Sequence, residues 1–128
     1  MRYPTPARWR VQPLEAHDGD TIAVLVDRGG PSEDRSLWRI RLKDVFAPEL
    51  SQPGGVECQR FVTDWLARHG DGSQWPLLLE TSRTPRSDLD VMTLSRIVGV
   101  VTGADGAVLN ADVQAFVTAN GYGGGIGA

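Results

Sequence analysis

Apolar and polar side chains alternate with a period of two along several short segments, which is the pattern of β-strands with one buried face. The clearest segment is residues 37–45, where the predicted core-facing side chains are Trp38, Ile40 and Leu42. Its predicted outward-facing side chains are Leu37, Arg39, Arg41 and Lys43. Alternation and β-branched runs together predict five strands, at residues 9–16, 21–27, 37–45, 77–81 and 95–102.

Two other segments have the spacing of amphipathic helices. In residues 56–69 the apolar side chains that share one stripe are Phe61, Val62, Trp65 and Leu66. The glycines expected to cap the end of this helix are Gly70 and Gly72. A second helix is predicted at residues 111–119, with Asn110 as its N-cap. The residues expected to end it are Asn120 and Gly121.

The order of these elements is three strands, a helix, two strands and a helix. It is the chain order of a five-stranded Greek-key OB barrel, an α+β fold that is mainly β. We therefore predict one domain at residues 9–121, since 128 residues suit a single core. An extended arm with two prolines is expected at residues 1–8, and a glycine-rich tail at residues 122–128.

Composition narrows the class of protein. A hydrophobic content of 41% is too high for a disordered chain. No apolar run approaches the length of about 18 residues that a membrane span needs, and the first ten residues contain no secretory signal. Cys58 is the only cysteine, which excludes an internal disulfide and a multi-cysteine zinc site. A soluble protein is expected.

The charge balance gives no general sign of nucleic-acid binding. The formal net charge is −3, whereas binding to a phosphate backbone favours a basic surface. A local basic patch remains open, because one face of the third predicted strand carries Arg39, Arg41 and Lys43. Asp18, Gly19 and Asp20 form a predicted turn, in which the glycine is expected to supply a positive φ.

Three segments, in this order, resemble motifs of staphylococcal nuclease and its homologues. Residues 17–21 (HDGDT) are similar to the family's DGDT. Residues 41–49 (RLKDVFAPE) are similar to the pattern R-L-x-G-[IV]-D-[AT]-P-E. Arg96 stands where the family closes a Tyr-Gly-Arg motif, and the D-G…N segment that follows in the family is matched by residues 105–110. The resemblance covers about residues 9 to 122, and the family's long C-terminal helix has no counterpart.

The resemblance implies phosphodiester hydrolysis with calcium as a Lewis acid. Asp20 would be a metal ligand with Asp18 close by, in a site that needs about 6–8 oxygen ligands. Glu49 would orient or deprotonate the attacking water. Arg41 and Arg96 would grip the phosphate and stabilise its developing charge.

The sequence departs from the family at one position that matters for the metal. The family's second metal-binding aspartate lies five residues after the first clamp arginine and three before the glutamate, and both counts lead to Phe46. A phenyl ring offers no lone pair, so weak calcium binding at best is expected. Asp44 could replace it only if the strand continued, and even then it would lie about 6–7 Å away. Leu94 and Ser95 replace the family's Tyr and Gly.

Two functions of different classes follow. The first is a non-catalytic barrel that serves protein assembly, in a homo-oligomer or a virion. Here the resemblance extends to small nuclease-like products of the tail genes of phages that infect GC-rich actinobacteria, which implies a minor tail protein. The expected location is a virion or the cytoplasm. No cofactor is expected for this function. The second is an active calcium-dependent nuclease acting on DNA or RNA. A binder of oligonucleotides that does not cleave them lies between the two.

Each candidate residue also has a purely structural interpretation. Asp18 and Asp20 could do no more than make the turn, and Arg41, Arg96 and Glu49 could form an ion-pair network. His17 is expected at the surface. Cys58 is expected to pack in the core as a small apolar residue rather than act as a nucleophile.

Overall fold

A computed structural model describes residues 7–29, 34–81 and 97–122, and these contain five strands and two helices. The strands are β1 (Ala7–Ala16), β2 (Thr21–Gly29), β3 (Asp34–Leu42), β4 (Leu77–Thr81) and β5 (Ile97–Thr102). The helices are α1 (Gly55–Arg68), between β3 and β4, and α2 (Leu109–Ala119), after β5. All seven predicted elements are therefore present, with ends that shift by a few residues.

The five strands form a closed barrel in the order β1-β2-β3-β5-β4, with β4 pairing back to β1. Neighbouring strands are antiparallel except for β3 and β5, which run parallel over a short register from Ile40↔Ile97 to Leu42↔Gly99. The predicted fold class is confirmed: the protein is a mainly β, OB-fold-like α+β barrel.

Alternating side chains from the strands fill the barrel. Trp38, Ile40 and Leu42 are fully buried, as the period-two pattern predicts, whereas Leu37 on the opposite face is 59% exposed. Helix α1 lies against this core through its apolar stripe, from which the buried members are Cys58, Val62, Trp65 and Leu66. At 25 cal/mol per Å² or so of apolar surface, burial of these side chains supplies most of the stabilisation of the fold.

The third strand ends three residues earlier than the alternation predicts. It stops at Leu42 because Asp44 has a φ of 61°, a left-handed conformation that does not fit a strand. Asp44 consequently does not continue the strand face, and the premise on which it could replace a carboxylate at position 46 is wrong. Lys43 is exposed just beyond the strand, and its backbone N–H donates to the Gly99 carbonyl at 2.9 Å.

The start of α2 also differs from the prediction. The N-cap position is Val108, which makes no side-chain cap, and Asn110 lies inside the first turn. The Asn110 side chain is buried and instead accepts a hydrogen bond from the Val101 N–H and donates to the carbonyls of Lys43 and Gly99. It thus continues the β3–β5 pairing at the point where β3 turns away.

The two helix ends follow different rules. At the end of α2, Gly121 has a φ of 68°, and the N–H groups of Gly121 and Tyr122 donate to the carbonyls of Thr118 and Val117 in a Schellman arrangement, so the predicted ending is confirmed. The predicted glycine cap of α1 is wrong, because Gly70, directly after the C-cap, has no positive φ, and Gly72 lies beyond the helix end. His69 is the C-cap, stacks on Trp65 at 4.4 Å and places Nδ1 2.7 Å from Oδ2 of Asp105.

Candidate functional site

The turn that joins β1 to β2 holds the first two candidate carboxylates close together. The backbone N–H of Asp20 donates to Oδ1 of Asp18 at 3.0 Å, and the N–H of His17 donates to the carbonyl of Thr21 at 2.9 Å. An aspartate that accepts from the backbone two residues later is a common way to fix a tight turn. Both carboxyl groups are therefore held at the mouth of the barrel where β2 begins.

Gly19 is needed at this turn for a reason other than the predicted one. Its φ lies outside the left-handed region, so the expected positive φ is wrong. Instead the residue is buried, and a Cβ placed on it would lie 2.6 Å from Cβ of Ala47 and 2.7 Å from Cβ of Cys58. Only glycine lets the loop after β3 and the start of α1 approach the turn this closely.

The carboxyl group of Asp20 is poorly matched by its surroundings. Its Oδ1 accepts a hydrogen bond from Oγ1 of Thr21 at 3.1 Å, while its Oδ2 lies 3.8 Å from Nη2 of Arg41. The pKa of Asp20 is raised to about 6, first by burial and then by the hydrogen bond and negative charge of Asp18, while Arg41 and Thr21 lower it by less. A single distant guanidinium does not offset a second carboxylate and partial desolvation.

Arg41 is positioned by β3, directly opposite Thr21 in the register with β2. One of its terminal nitrogens, Nη1, donates to the Leu42 carbonyl at 2.7 Å, and the other faces Asp20. Its side chain keeps 28% of its surface accessible, so a solvent anion can still reach the guanidinium. The motif residues Asp18, Asp20 and Arg41 are thus brought together in one place.

The loop after β3 carries the other motif residues past this turn. Cβ of Ala47 is the atom nearest to the point that a Cβ on Gly19 would occupy, so Phe46 and Pro48 lie on either side of a close contact with the turn. Phe46 is 44% exposed, and its backbone N–H donates to Oε1 of Gln114 on α2 at 2.9 Å. Glu49 is exposed, and its own backbone N–H donates to Oε1 of Gln52 at 2.9 Å.

The remaining predicted site residues are dispersed. Arg39 is exposed two residues before Arg41 on the same face of β3, opposite Ala23. Lys43 lies beyond the strand end and does not continue that face. Arg96, with Leu94 and Ser95, falls outside the described residues. The predicted ion-pair network of Arg41, Arg96 and Glu49 is not formed by its described members: Arg41 faces Asp20 instead, and within residues 7–29, 34–81 and 97–122 no ion pair involves Glu49.

A cation would find few ligands here. Among the residues that the structure describes, no three side chains of the His, Cys, Asp or Glu type are placed to hold a metal ion. The turn itself offers the two carboxylates of Asp18 and Asp20, whereas calcium takes about 6–8 oxygen ligands. The donor set in the described chain therefore does not fit a calcium site without further ligands.

Two residues near the site were not singled out by the sequence. Gln59 on α1 donates through Nε2 to the carbonyl of Ala16 at 3.0 Å and so ties the helix to the end of β1. Gln114 on α2 fixes the loop at Phe46. Both are polar residues on the flanks of helical stripes, where the pattern of apolar positions carries no signal. The other two expectations hold: His17 is exposed, and Cys58 is fully buried with a thiol pKa raised to about 11 by burial.

No protein-family model matches the sequence, and no curated protein matches it at a significant level. Neither helix in the part of the chain that the structure describes has the length and apolar character to cross a membrane.

Proposed function

We propose that this protein is a nuclease-like barrel that has been reused as a non-catalytic assembly module. The observation that carries the proposal is Phe46. Its neighbour Ala47 touches Gly19, so position 46 is one residue from a contact with the Asp18–Asp20 turn. By the resemblance, this is where a second metal-binding carboxylate should stand, and it holds an exposed phenyl ring.

The backbone at Asp44 supports the register on which this argument depends. The pattern R-L-x-G has glycine at this position, and Asp44 has a φ of 61°, a conformation that glycine adopts most readily. A slip of one or two residues would move this left-handed position away from the pattern's glycine. The register that places Phe46 at the metal position is therefore the one that the local conformation favours.

In this proposal the Asp18–Asp20 turn and Arg41 are the remnant of an ancestral site, and the partners are other protein subunits. A virion, with this chain as a minor tail protein, is the context that the resemblance implies.

The competing function is a calcium-dependent nuclease, and one observation favours it. Asp20, Arg41 and the loop bearing Glu49 converge on one end of the barrel, which is the arrangement that phosphodiester hydrolysis would use. In that case calcium would be the cofactor and DNA or RNA the substrate.

A cleavage assay separates the two functions. Purified protein is incubated with single-stranded DNA or RNA and millimolar calcium, magnesium or manganese, with Glu49→Ala as the matched control. The proposal expects no metal-dependent cleavage by either protein. Cleavage by the wild type that disappears in Glu49→Ala would establish the nuclease and end the assembly-only proposal.

The Phe46→Asp variant tests the reason for inactivity. If the missing carboxylate is the defect, calcium should bind to the variant and not to the wild type, with the affinity measured by isothermal titration calorimetry. Phe46→Asn is the control, because the asparagine side chain has nearly the same size as aspartate and carries an oxygen but no charge. Equal calcium affinity in the wild type and in Phe46→Asp would show that position 46 does not decide metal binding.

A further inference from the structure

The outward surface of β1, β2 and β3 has an apolar centre. Leu25 on β2 pairs with Leu37 on β3 and with Gln12 on β1, and Leu14 is the extra residue of a bulge in β1 next to them. Leu37 and Leu14 are 59% and 47% exposed. We call this surface the meander face, and its residues are Gln12, Leu14, Glu15, Ala23, Leu25, Leu37 and Arg39.

Two charges of opposite sign flank this apolar centre. Ala23 pairs with Glu15 on one side and with Arg39 on the other, so the two charged residues stand one strand away from β2 in opposite directions. Two strand spacings separate the two backbones by about 9–10 Å, and the two side chains do not meet within one chain. Within the described ranges both side chains are exposed and neither makes an ion pair.

The other charged side chains of β1 are paired. Arg10 of β1 contacts Asp27 of β2 at 2.6 Å, and Arg8 contacts Glu80 of β4 at 3.1 Å. Glu15 is thus the one charged residue of β1 whose ion-pair partner is not supplied by the described chain. The meander face combines exposed leucines with two separated, uncompensated charges.

We propose that the meander face binds a second copy of this chain, related by a twofold axis that runs parallel to β2 in the plane of the interface. This rotation exchanges the β1 and β3 sides of the face. Glu15 then meets Arg39 of the second copy, and Arg39 meets its Glu15, so both pairs form at once. Leu25 packs on its own equivalent, and Leu37 lies over the side that carries Gln12 and Leu14.

The charge pattern favours a second copy over another partner. A twofold interface must be self-complementary, and one acidic and one basic residue placed symmetrically about the central strand satisfy this condition. An oligonucleotide would meet Arg39 but also the carboxylate of Glu15, which repels phosphate. The proposal rests on the proposed assembly function and names the surface through which assembly occurs.

The size of the meander face determines how strong the dimer is expected to be. Three strands over about five residues span roughly 14 by 17 Å, which is below the ~600 Å² per partner that small specific interfaces bury. The dimer should therefore be weak, with a Kd of about 10 µM or more, and form fully when other virion or oligomer contacts raise the local concentration.

Sedimentation equilibrium over about 5–500 µM protein measures this association directly. The wild type should show a concentration-dependent rise toward twice the chain mass. Glu15→Arg and Arg39→Glu should each weaken the dimer by about tenfold or more, because each places like charges together twice. The double variant with both changes should restore the wild-type Kd to within about threefold, because it exchanges the two charges across the same contacts.

A matched pair of apolar substitutions tests whether association occurs through the meander face. Leu37→Ser should weaken association by about tenfold, while Val98→Ser should leave it unchanged, since Val98 is 47% exposed but lies on β5. Each substitution is at an exposed position, and circular dichroism verifies that the variants are folded. A monomeric wild type at all concentrations, or a failure of the charge exchange to restore association, would overturn the proposal.

The outcomes remain separate from those of the cleavage assay. A dimer that also cleaves DNA would leave this interface in place and remove the non-catalytic function. A chain that neither cleaves nor associates through this face would refute the interface alone. Binding of a short oligonucleotide that is lost in Arg39→Glu, with no effect of either charge reversal on mass, would assign the face to nucleic acid instead.

Discussion

Asn110 and Asp20 are both polar side chains at the margins of the barrel core, but their environments differ sharply. The side chain of Asn110 is buried and uses both ends of its amide, accepting from the Val101 N–H and donating to the carbonyls of Lys43 and Gly99. Asp20 has a neighbouring carboxylate and one guanidinium at 3.8 Å, and its pKa is raised to about 6.

The difference separates a residue selected for structure from one that structure alone does not explain. A buried polar group with all its hydrogen bonds satisfied holds elements in one arrangement. A buried carboxyl group beside another carboxyl group lowers stability at neutral pH, and such groups collect where a protein has or had a function. The Asn110 junction therefore maintains the barrel, while the Asp20 turn retains the outline of a site.

The largest expected effect is at the Asn110 junction. Asn110→Ala removes three hydrogen bonds and leaves the Val101 N–H and the Lys43 carbonyl buried without these partners. We expect the free energy of unfolding to fall by about 2–4 kcal/mol, measured by urea denaturation. Asn120→Ala is the matched control, since Asn120 is exposed and makes one hydrogen bond to Phe116, and it should cost less than about 1 kcal/mol. Equal losses in both variants would contradict the assigned role of Asn110.

The next effect concerns the close approach at the Asp18–Asp20 turn. Gly19→Ala puts a methyl group against Ala47 and Cys58, and overpacking of this kind costs about 1–3 kcal/mol. Thermal unfolding should show a lower Tm. The double variant Gly19→Ala/Ala47→Gly should recover part of the loss, because it removes one of the two clashing atoms. No change in Tm in the single variant would show that the loop can move away freely.

A smaller effect is the pH dependence that Asp20 imposes. Its pKa is about 6 in the folded protein against 3.8 as the ordinary value, so between these pH values the unfolded chain releases the proton and the folded chain keeps it. Asp20 therefore makes the protein less stable as pH rises from about 4 to about 6, with the full cost present above that range. Solvent screening reduces the cost to about 1–2 kcal/mol.

Asp20→Asn tests this sign. Urea unfolding in the presence of a chelator should give nearly equal stability for the variant and the wild type at pH 4. At pH 7 the variant should be the more stable of the two. A variant that is less stable than the wild type at pH 7 would mean that the Asp20–Arg41 pair outweighs desolvation, and the contrast with Asn110 would disappear.

The smallest effect is expected at Phe46. Because 44% of this residue is exposed, Phe46→Ser should lower the free energy of unfolding by only about 1 kcal/mol. Phe116→Ser is the comparison, since Phe116 stacks on Phe61 at a centroid distance of 4.5 Å and should cost about 2 kcal/mol or more. A large loss at Phe46 would identify it as a packing residue and weaken its use as a sign of a lost metal site.

Much of the fold could be predicted because alternation reports burial directly. Trp38, Ile40 and Leu42 were assigned to the core from their spacing, and all three are fully buried. The errors lie where a residue acts through a tertiary contact. The sequence predicts Asn110 as a helix cap, but its side chain points inward and bonds the backbone of Val101 and Lys43, where β3 ends. Gly19 reads as a turn glycine, but its role is to admit Ala47 and Cys58.

The candidate site was predictable to a similar extent. The resemblance implies that Asp18, Asp20 and Arg41 lie together, and in the structure they do. The sequence could not reveal that one terminal nitrogen of Arg41 donates to the Leu42 carbonyl, or that Asp18 raises the pKa of Asp20. These are properties of distance and desolvation, which a one-dimensional pattern does not contain. The unpaired charges at Glu15 and Arg39 became visible only through strand register.

The parallel contact between β3 and β5 has a consequence for how the chain folds. Strands β1 to β3 form a hairpin meander from residues close in sequence, whereas Ile40 and Ile97 must meet across an intervening helix and strand. Closing a long loop before its contacts form is entropically costly, so we expect the barrel to close late in folding. The β3–β5 pairing is also short, so we expect the barrel to open first between these two strands when it is destabilised.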